Sequence, residues 1–220
     1  MTTFDAARFI AMFEAVAERI KNEKDQLCAL DGQIGDADHG IAMAQGLNAV
    51  RQAVRELDPG TASPSDIFNT AAKSFLNAVG ASSGPLYATA FMRAGAALKG
   101  KKAPGEDDVA EAFAAMAKGI EDRGKAVVGE KTMVDAWRPA ADALMQARDV
   151  GAGVADAFEA AREAAERGAE ATRDMVAAKG RASRLGERAV GHIDPGAASA
   201  AIIIAEMARS LSSQPETLSR

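Results

Sequence analysis

The sequence predicts an all-α fold on three observations. Apolar residues recur at helical spacing along nearly the whole chain, no stretch alternates like a strand, and alanine is the commonest filler. Phe9, Phe13, Val16 and Ile20 form the first stripe, Leu47, Val50, Val54 and Leu57 the second, and Phe68, Ala72, Phe75 and Val79 the third. Leu86, Ala90, Ala94 and Leu98 make a fourth, Val109, Phe113, Met116 and Ile120 a fifth, and Val134, Trp137 and Leu144 a sixth. Val154, Phe158, Ala161 and Ala165 supply the seventh, and Ile203, Met207 and Ser210 to Leu211 the eighth. The pattern reads as about eight helices of roughly 15 to 20 residues, with small side chains that allow close packing.

Capping chemistry marks several boundaries. Ser63-Pro64 and Ser83-Gly84-Pro85 put proline where a first helical turn tolerates it, Thr132 with Asp135 resembles a capping box, and Asp194-Pro195-Gly196 again places a cap before proline. No linker and no long-period repeat interrupts the pattern, so residues 1–220 are expected to form a single domain.

Composition excludes several classes of function. With 48% hydrophobic residues in 220, the chain can bury a sizeable core. A formal net charge of −5 with scattered Lys and Arg offers no basic stripe for nucleic acid, and Lys99, Lys101 and Lys102 read as a solvated loop. Cys28 is the only cysteine, which rules out an internal disulfide or a cysteine zinc site and leaves a buried small hydrophobe as its default role. The N-terminus lacks a secretion signal, and the apolar run from Ala197 to Ala205 is too short to span a bilayer. A cytoplasmic protein without membrane partners is expected.

Chemistry concentrates between Asp31 and Gly40, where Asp31, Asp36, Asp38, His39 and three glycines fall within ten residues. Asp36 and Asp38 can aim at a common point, while Gly35 and Gly40 let the backbone turn or approach closely. Carboxylates so crowded repel one another unless a cation lies between them, and an all-oxygen set suits Mg2+ or Ca2+. An ordinary Asp/Gly turn between helices is the plain alternative. An EF-hand fails in both registers: from Asp31 it needs Gly at Asp36 and Glu at Ala42, and from Asp36 it needs Glu at Leu47.

Loop parity extends the argument. In an up-and-down bundle consecutive short connections alternate between the two ends. The first (Asp31 to Gly40), third (Gly80 to Pro85), fifth (Gly124 to Thr132) and seventh (Lys179 to Gly196) connections would therefore share one rim. Asp58 to Pro64, Gly100 to Gly105 and Asp149 to Gly151, at the other rim, carry ordinary turn chemistry. Helices leaving the odd connections point their N-termini at the shared rim, which favours a phosphate-bearing ligand.

Individual residues are assigned from that frame. His39 can bond a phosphate or ribose, act as acid or base, or cap a helix; His192 can be an Asp194-oriented base or a structural bond. Arg181 suits a phosphate and the charge that builds during its transfer, whereas Arg184 and Arg188 read as surface charges. Lys131 can serve a phosphate or be solvated, Met133 can be core or line an adenine pocket, and Trp137 reads as core or interface. No Walker A motif and no Gly-x-Ser-x-Gly elbow occurs.

Five blocks then fall in order: Gly35 to Gly40, Ala81 to Tyr87, Gly129 to Ala136, Gly180 to Ser183 and Gly191 to Ala197. Together they resemble the nucleotide-binding L subunit, or DhaL domain, of dihydroxyacetone kinases. The resemblance implies an eight-helix antiparallel closed bundle and two Mg2+ ions held by Asp31, Asp36 and Asp38, with ADP or ATP at the rim. It implies nucleotide contacts from His39, Gly40, Ser82, Ser83, Gly124, Met133, Arg181, Asp194 and Gly196, with Ile41, Ala42 and Pro195 in the same runs. It also implies a partner K subunit that holds the ketose, dihydroxyacetone or a relative such as erythrulose. The donor would be exchangeable ATP, or a phosphotransferase-system M subunit that rephosphorylates retained ADP. An ADP-retaining module that docks a transcriptional regulator is the rival reading. Arg184 stands where an aromatic is often found and Glu130 where Asp is frequent; neither change touches the aspartates.

Overall fold

The computed structural model describes residues 4–80 and 83–212, and no strand occurs among them. Nine α-helices do: α1 (Ala6–Asn22), α2 (Lys24–Ile34), α3 (His39–Arg55), α4 (Pro64–Ala78), α5 (Gly84–Ala97), α6 (Glu106–Gly124), α7 (Val134–Asp149), α8 (Val154–Ala171) and α9 (Pro195–Ser212). The extra helix arises because the first predicted element runs on past its stripe. It breaks only at Glu23, and α2 then continues inward with Leu27, Asp31 and Ile34 buried. Asp31 thus sits in the last turns of a helix and not in a loop. Two 3-10 segments, Thr172–Asp174 and Arg181–Ala189, punctuate the connection between α8 and α9.

Helices packed on their chain neighbours through short connections must run antiparallel. From α3 to α9 each helix packs on the next, and α1 packs on both α3 and α9, so the chain of neighbours returns to its start. Capping behaves as the sequence chemistry requires. Ser63 and Asp66 exchange bonds in a capping box at α4, and Asp194 Oδ2 accepts the Ala197 N–H at 2.7 Å at α9. At α7 the box is incomplete: Asp135 accepts the Thr132 N–H, while the Thr132 hydroxyl accepts from Val134 and not from Asp135.

The interior is a chain of edge-to-face aromatics, with Phe13 stacked at 5.3 Å on both Phe68 and Phe91, and Phe113 at 5.4 Å on Phe158. Trp137 is fully buried within it, whereas Cys28 is only half-buried against Gly40. Alanine and glycine bring backbones together where large side chains are absent. The tightest approach is Gly168 on α8, where a Cβ would overlap the Asp135 carbonyl on α7. No helix among the described residues is long and apolar enough to cross a membrane.

Gly168→Ala opposes two effects. Helix propensity favours alanine by about 0.5–1 kcal/mol, but overpacking against backbone costs about 1–3 kcal/mol. A net loss of stability in urea denaturation is expected, and a gain would show that α7 and α8 can separate freely.

Candidate functional site

The acidic turn is built by its own first carboxylate. After α2 ends at Ile34 the chain passes through Gly35, Asp36, left-handed Ala37 (φ 61°) and Asp38 before α3 begins at His39. Asp31 Oδ2 accepts the N–H groups of Asp38 at 2.9 Å and His39 at 3.2 Å, tying the turn to the helix before it. A Cβ on Gly35 would overlap Asp31 Oδ1, so only glycine leaves that carboxylate in place. One oxygen from each of Asp31, Asp36 and Asp38 then lies within 4.8 Å of the others.

Such a cluster is electrostatically loaded. Unit charges at that spacing repel by about 3–4 kcal/mol per pair at an effective dielectric of about 20, and by only about 1 kcal/mol where water fully screens them. Burial, then the neighbouring Asp36, holds the Asp38 carboxyl above its ordinary range, against the pull of Arg181. The Arg181 guanidinium pairs with Asp36 and stands 3.6 Å from Asp38 Oδ1. Oxygen-only donors, one buried and two exposed to an open side, fit a hard divalent cation that keeps other ligands.

Beside the cluster opens a cavity of about 290 Å³. All four odd connections line it: Asp31, Asp38 and His39 from the first, Ser83 from the third, Ala126 and Lys131 to Met133 from the fifth, and Lys179 to Ala182 with Asp194 to Gly196 from the seventh. Leu86, Ile120 and Val134 add apolar surface, and Gly124 closes the α6 side. Ser83 is only 4% exposed, and its hydroxyl has no hydrogen-bond partner among the described residues. An orphaned donor in a cavity wall marks a place for a polar ligand.

The predicted residues divide accordingly. Asp31, Asp38, His39, Ser83, Gly124, Met133, Arg181, Asp194, Pro195 and Gly196 all reach the cavity. Asp36 joins the carboxylates from its outer edge. Gly40, Ile41 and Ala42 do not line the wall. Gly40 is needed because a Cβ would overlap the Lys24 carbonyl, Ile41 faces solvent, and Ala42 packs against the core. Ser82 lies outside the described residues. His192 bonds Gln33 through Nδ1 at 3.0 Å, so it is not a base oriented by Asp194. Arg184 and Arg188 are exposed surface charges.

Other side chains support the wall, Ser199 and Thr172 without having been singled out. Ser199 takes His39 Nε2 at 2.8 Å and gives its own hydrogen to the Gly196 carbonyl, so Nε2 is the donor. Burial keeps His39 below its ordinary pKa, leaving Nδ1 an acceptor. Asp135 gathers the Gly129 and Thr132 N–H groups, and the Thr172 hydroxyl accepts the Asp194 N–H at 2.9 Å. Lys131 is not the solvated charge of the commoner reading: it is buried in the cavity wall, with its ammonium bonded to the Thr172 and His192 carbonyls.

Fold and site define a class: an antiparallel helical bundle carrying, at one end, a ligand-sized pocket with a carboxylate cluster at its mouth. Residues 33–209 match the DAK2 domain model, and the chain belongs to the DAK2 domain family. It is 40% identical over 205 residues to the ADP-binding subunit DhaL of PEP-dependent dihydroxyacetone kinase 1 from Listeria innocua, covering 93% of this chain and 96% of that one. Against the ADP-binding subunit DhaL of the Escherichia coli PEP-dependent dihydroxyacetone kinase it is 41% identical over 180 residues, covering 80% and 83%. The dihydroxyacetone kinase from C. freundii, solved with AMP-PNP and Mg2+, matches with a TM-score of 0.71 at 26% identity over 96% of this chain. The match spans about a third, 35%, of that longer protein.

Two outcomes follow from the geometry. Gly35→Ala is expected to displace Asp31 and, if the carboxylates hold Mg2+, to lower its affinity by roughly 10–100-fold in calorimetric titration, with helical content unchanged. Asp194 supplies a pH test, since burial pushes its carboxyl up to about 7 from 3.8. Between those values the folded chain keeps a proton that the unfolded chain releases, so stability falls as pH rises through that window. Asp194→Asn retains the cap oxygen and removes the charge. In cation-free denaturation it is expected to flatten this slope and to exceed the unsubstituted chain at pH 8 by on the order of 1 kcal/mol.

Proposed function

We propose that this chain is the nucleotide-binding L subunit of a dihydroxyacetone-type kinase, holding ADP or ATP with Mg2+ and passing a phosphoryl group to a ketose carried by a separate K subunit. The observation that supports it most is the convergence of Asp31, Asp36 and Asp38 at the mouth of a cavity lined by all four odd connections. The Listeria innocua and Escherichia coli relatives, both ADP-binding subunits of PEP-dependent kinases, favour retained ADP recharged by a phosphotransferase-system M subunit over exchangeable ATP.

In this reading Asp31, Asp36 and Asp38 hold one or two Mg2+ ions. Bound magnesium there would supply positive charge to offset that of the phosphate oxygens. Asp31 accepts two backbone N–H groups and so fixes the turn that carries the other two carboxylates. Arg181, already beside Asp36, faces the end of a phosphate chain and balances charge that builds on a transferring phosphoryl. Ser83 donates its orphaned hydroxyl to a phosphate oxygen, joined by the free N–H groups at the start of α5. Met133, Leu86 and Ile120 offer apolar surface for a base, and His39, oriented by Ser199, presents Nδ1 as an acceptor.

These groups position and neutralise; none is arranged to hold a ketose, so the chain alone should turn over little. Asp36→Ala and Asp38→Ala are each expected to weaken Mg-ADP binding by at least about tenfold, or about 1.4 kcal/mol, in calorimetry. With purified K subunit, dihydroxyacetone and either Mg-ATP or a reconstituted PEP relay, product should form only when this chain is present. Unaltered affinity in both variants would remove the proposed site, and tight ADP retention without turnover from either donor would favour a regulatory module.

A further inference from the structure

Lys131 is 1% exposed, one of the most deeply buried charges in the described chain, and it adopts a left-handed backbone (φ 60°) that side-chain-bearing residues seldom occupy. Its ammonium donates to two carbonyls, those of Thr172 and His192. They stand at opposite ends of the long connection between α8 and α9. The same neck carries a second tie, the Gly191 N–H to the Arg173 carbonyl at 2.8 Å, with Arg173 Nη1 returning to the Gly191 carbonyl at 3.2 Å. Ala178 N–H reaches the Glu130 carbonyl at 3.2 Å, fastening the excursion to the strand of chain just before Lys131.

Between its two ends the connection carries Arg181, which pairs with Asp36; two residues past the neck comes Asp194, which starts α9. On the other side, Lys131 is followed by Thr132 and Met133 at the start of α7. One ammonium therefore joins the fifth connection to both ends of the chain segment between α8 and α9. Beyond the neck, the excursion rests on a small apolar cluster of Ile34, Ala177, Ala182, Ala189 and Leu185 that is separate from the main core. With little burial beneath it, the excursion depends on polar ties to keep Arg181 near the carboxylates: its exposed pair with Asp36 and the bonds at the neck.

We propose that Lys131 is a positioning residue for the nucleotide site, closing the neck that holds Arg181 and the α9 start in register and thereby setting how long a nucleotide stays bound. The inference rests on the nucleotide-binding reading above. A merely structural lysine would affect stability alone; a positioning one changes ligand release beyond what its stability loss explains.

The full chain is loaded with Mg-ADP, and ADP release is followed by displacement with excess unlabelled nucleotide. Lys131→Met, which keeps the volume and removes the donor, is expected to speed release by about tenfold or more with unchanged far-ultraviolet dichroism. It should also hasten protease cleavage within residues 175–190 of the nucleotide-free chain. Lys131→Arg, which keeps a charged donor, should return release to within about threefold of the unsubstituted rate. Val154→Ala, a core truncation at the opposite rim, serves as the stability-matched control and should leave release unchanged. Release by Lys131→Met equal to the unsubstituted chain, or no faster than Val154→Ala, overturns the proposal. Should Lys131→Met not fold, Lys131→Gln is held to the same criterion. Absence of ADP binding by the unsubstituted chain would sink the nucleotide reading, while the protease comparison would still judge the neck.

Discussion

Like charge held at close range is the constraint on which this end of the molecule turns. Three carboxylates within 4.8 Å of each other raise the energy of the folded chain unless a positive group lies among them. The polypeptide nevertheless spends several devices on holding them there. Asp31 is locked by two N–H groups, Gly35 is denied a Cβ, and Ala37 takes a left-handed turn. Structure that opposes its own electrostatics so consistently is organised for a ligand. Arg181 supplies one positive charge from across the mouth, but a single exposed guanidinium beside two exposed carboxylates leaves the buried Asp31 to be balanced by something else.

The helical ring makes that mouth possible through geometry alone. Alternation of short connections brings four loops, far apart in sequence, to one rim, and the same alternation directs the N-termini of α3, α5, α7 and α9 toward it. Negative side chains on the first connection therefore face partial positive charge from the others. A phosphate chain spanning that gap meets opposite character at its two sides, which neither half of the rim offers alone. Apolar side chains between them give the cavity a dry face suited to a base.

Much of this was legible without coordinates, for identifiable reasons. Helical periodicity, Ser63 and Asp194 as caps, and the parity of the connections depend on local pattern, which a sequence displays directly. What escaped was long-range or followed from helix length. Asp31 looks like a loop residue because its neighbours are Asp and Gly, yet α2 carries it on a buried face. Gly40, Ile41 and Ala42 share a motif with His39, but one helical turn points Ile41 at solvent and presses Gly40 onto the Lys24 carbonyl. Ser199 meets His39 across 160 residues, and nothing near either announces the pairing. Lys131 was misread because a lysine beside a glycine-rich turn is ordinarily solvated, and its burial depends on carbonyls about 41 and 61 residues away.

The two walls of the mouth are also unequally anchored. The carboxylate wall grows from α2 and α3, whose Leu27, Met43 and Leu47 belong to the main core, so moving it means disturbing the bundle. Arg181 instead rides on a segment buried only through Ile34 and a few small side chains. Local opening costs least where apolar burial is least, so under the proposed function a ligand would exchange by displacement of the arginine side while the carboxylates stay in place. The division would suit the proposed carrier of charged groups: the element with the carboxylates is anchored in the main core, and the element with Arg181 is held mainly by polar ties at its neck. Such ties, unlike apolar packing, can be made and broken without repacking the interior.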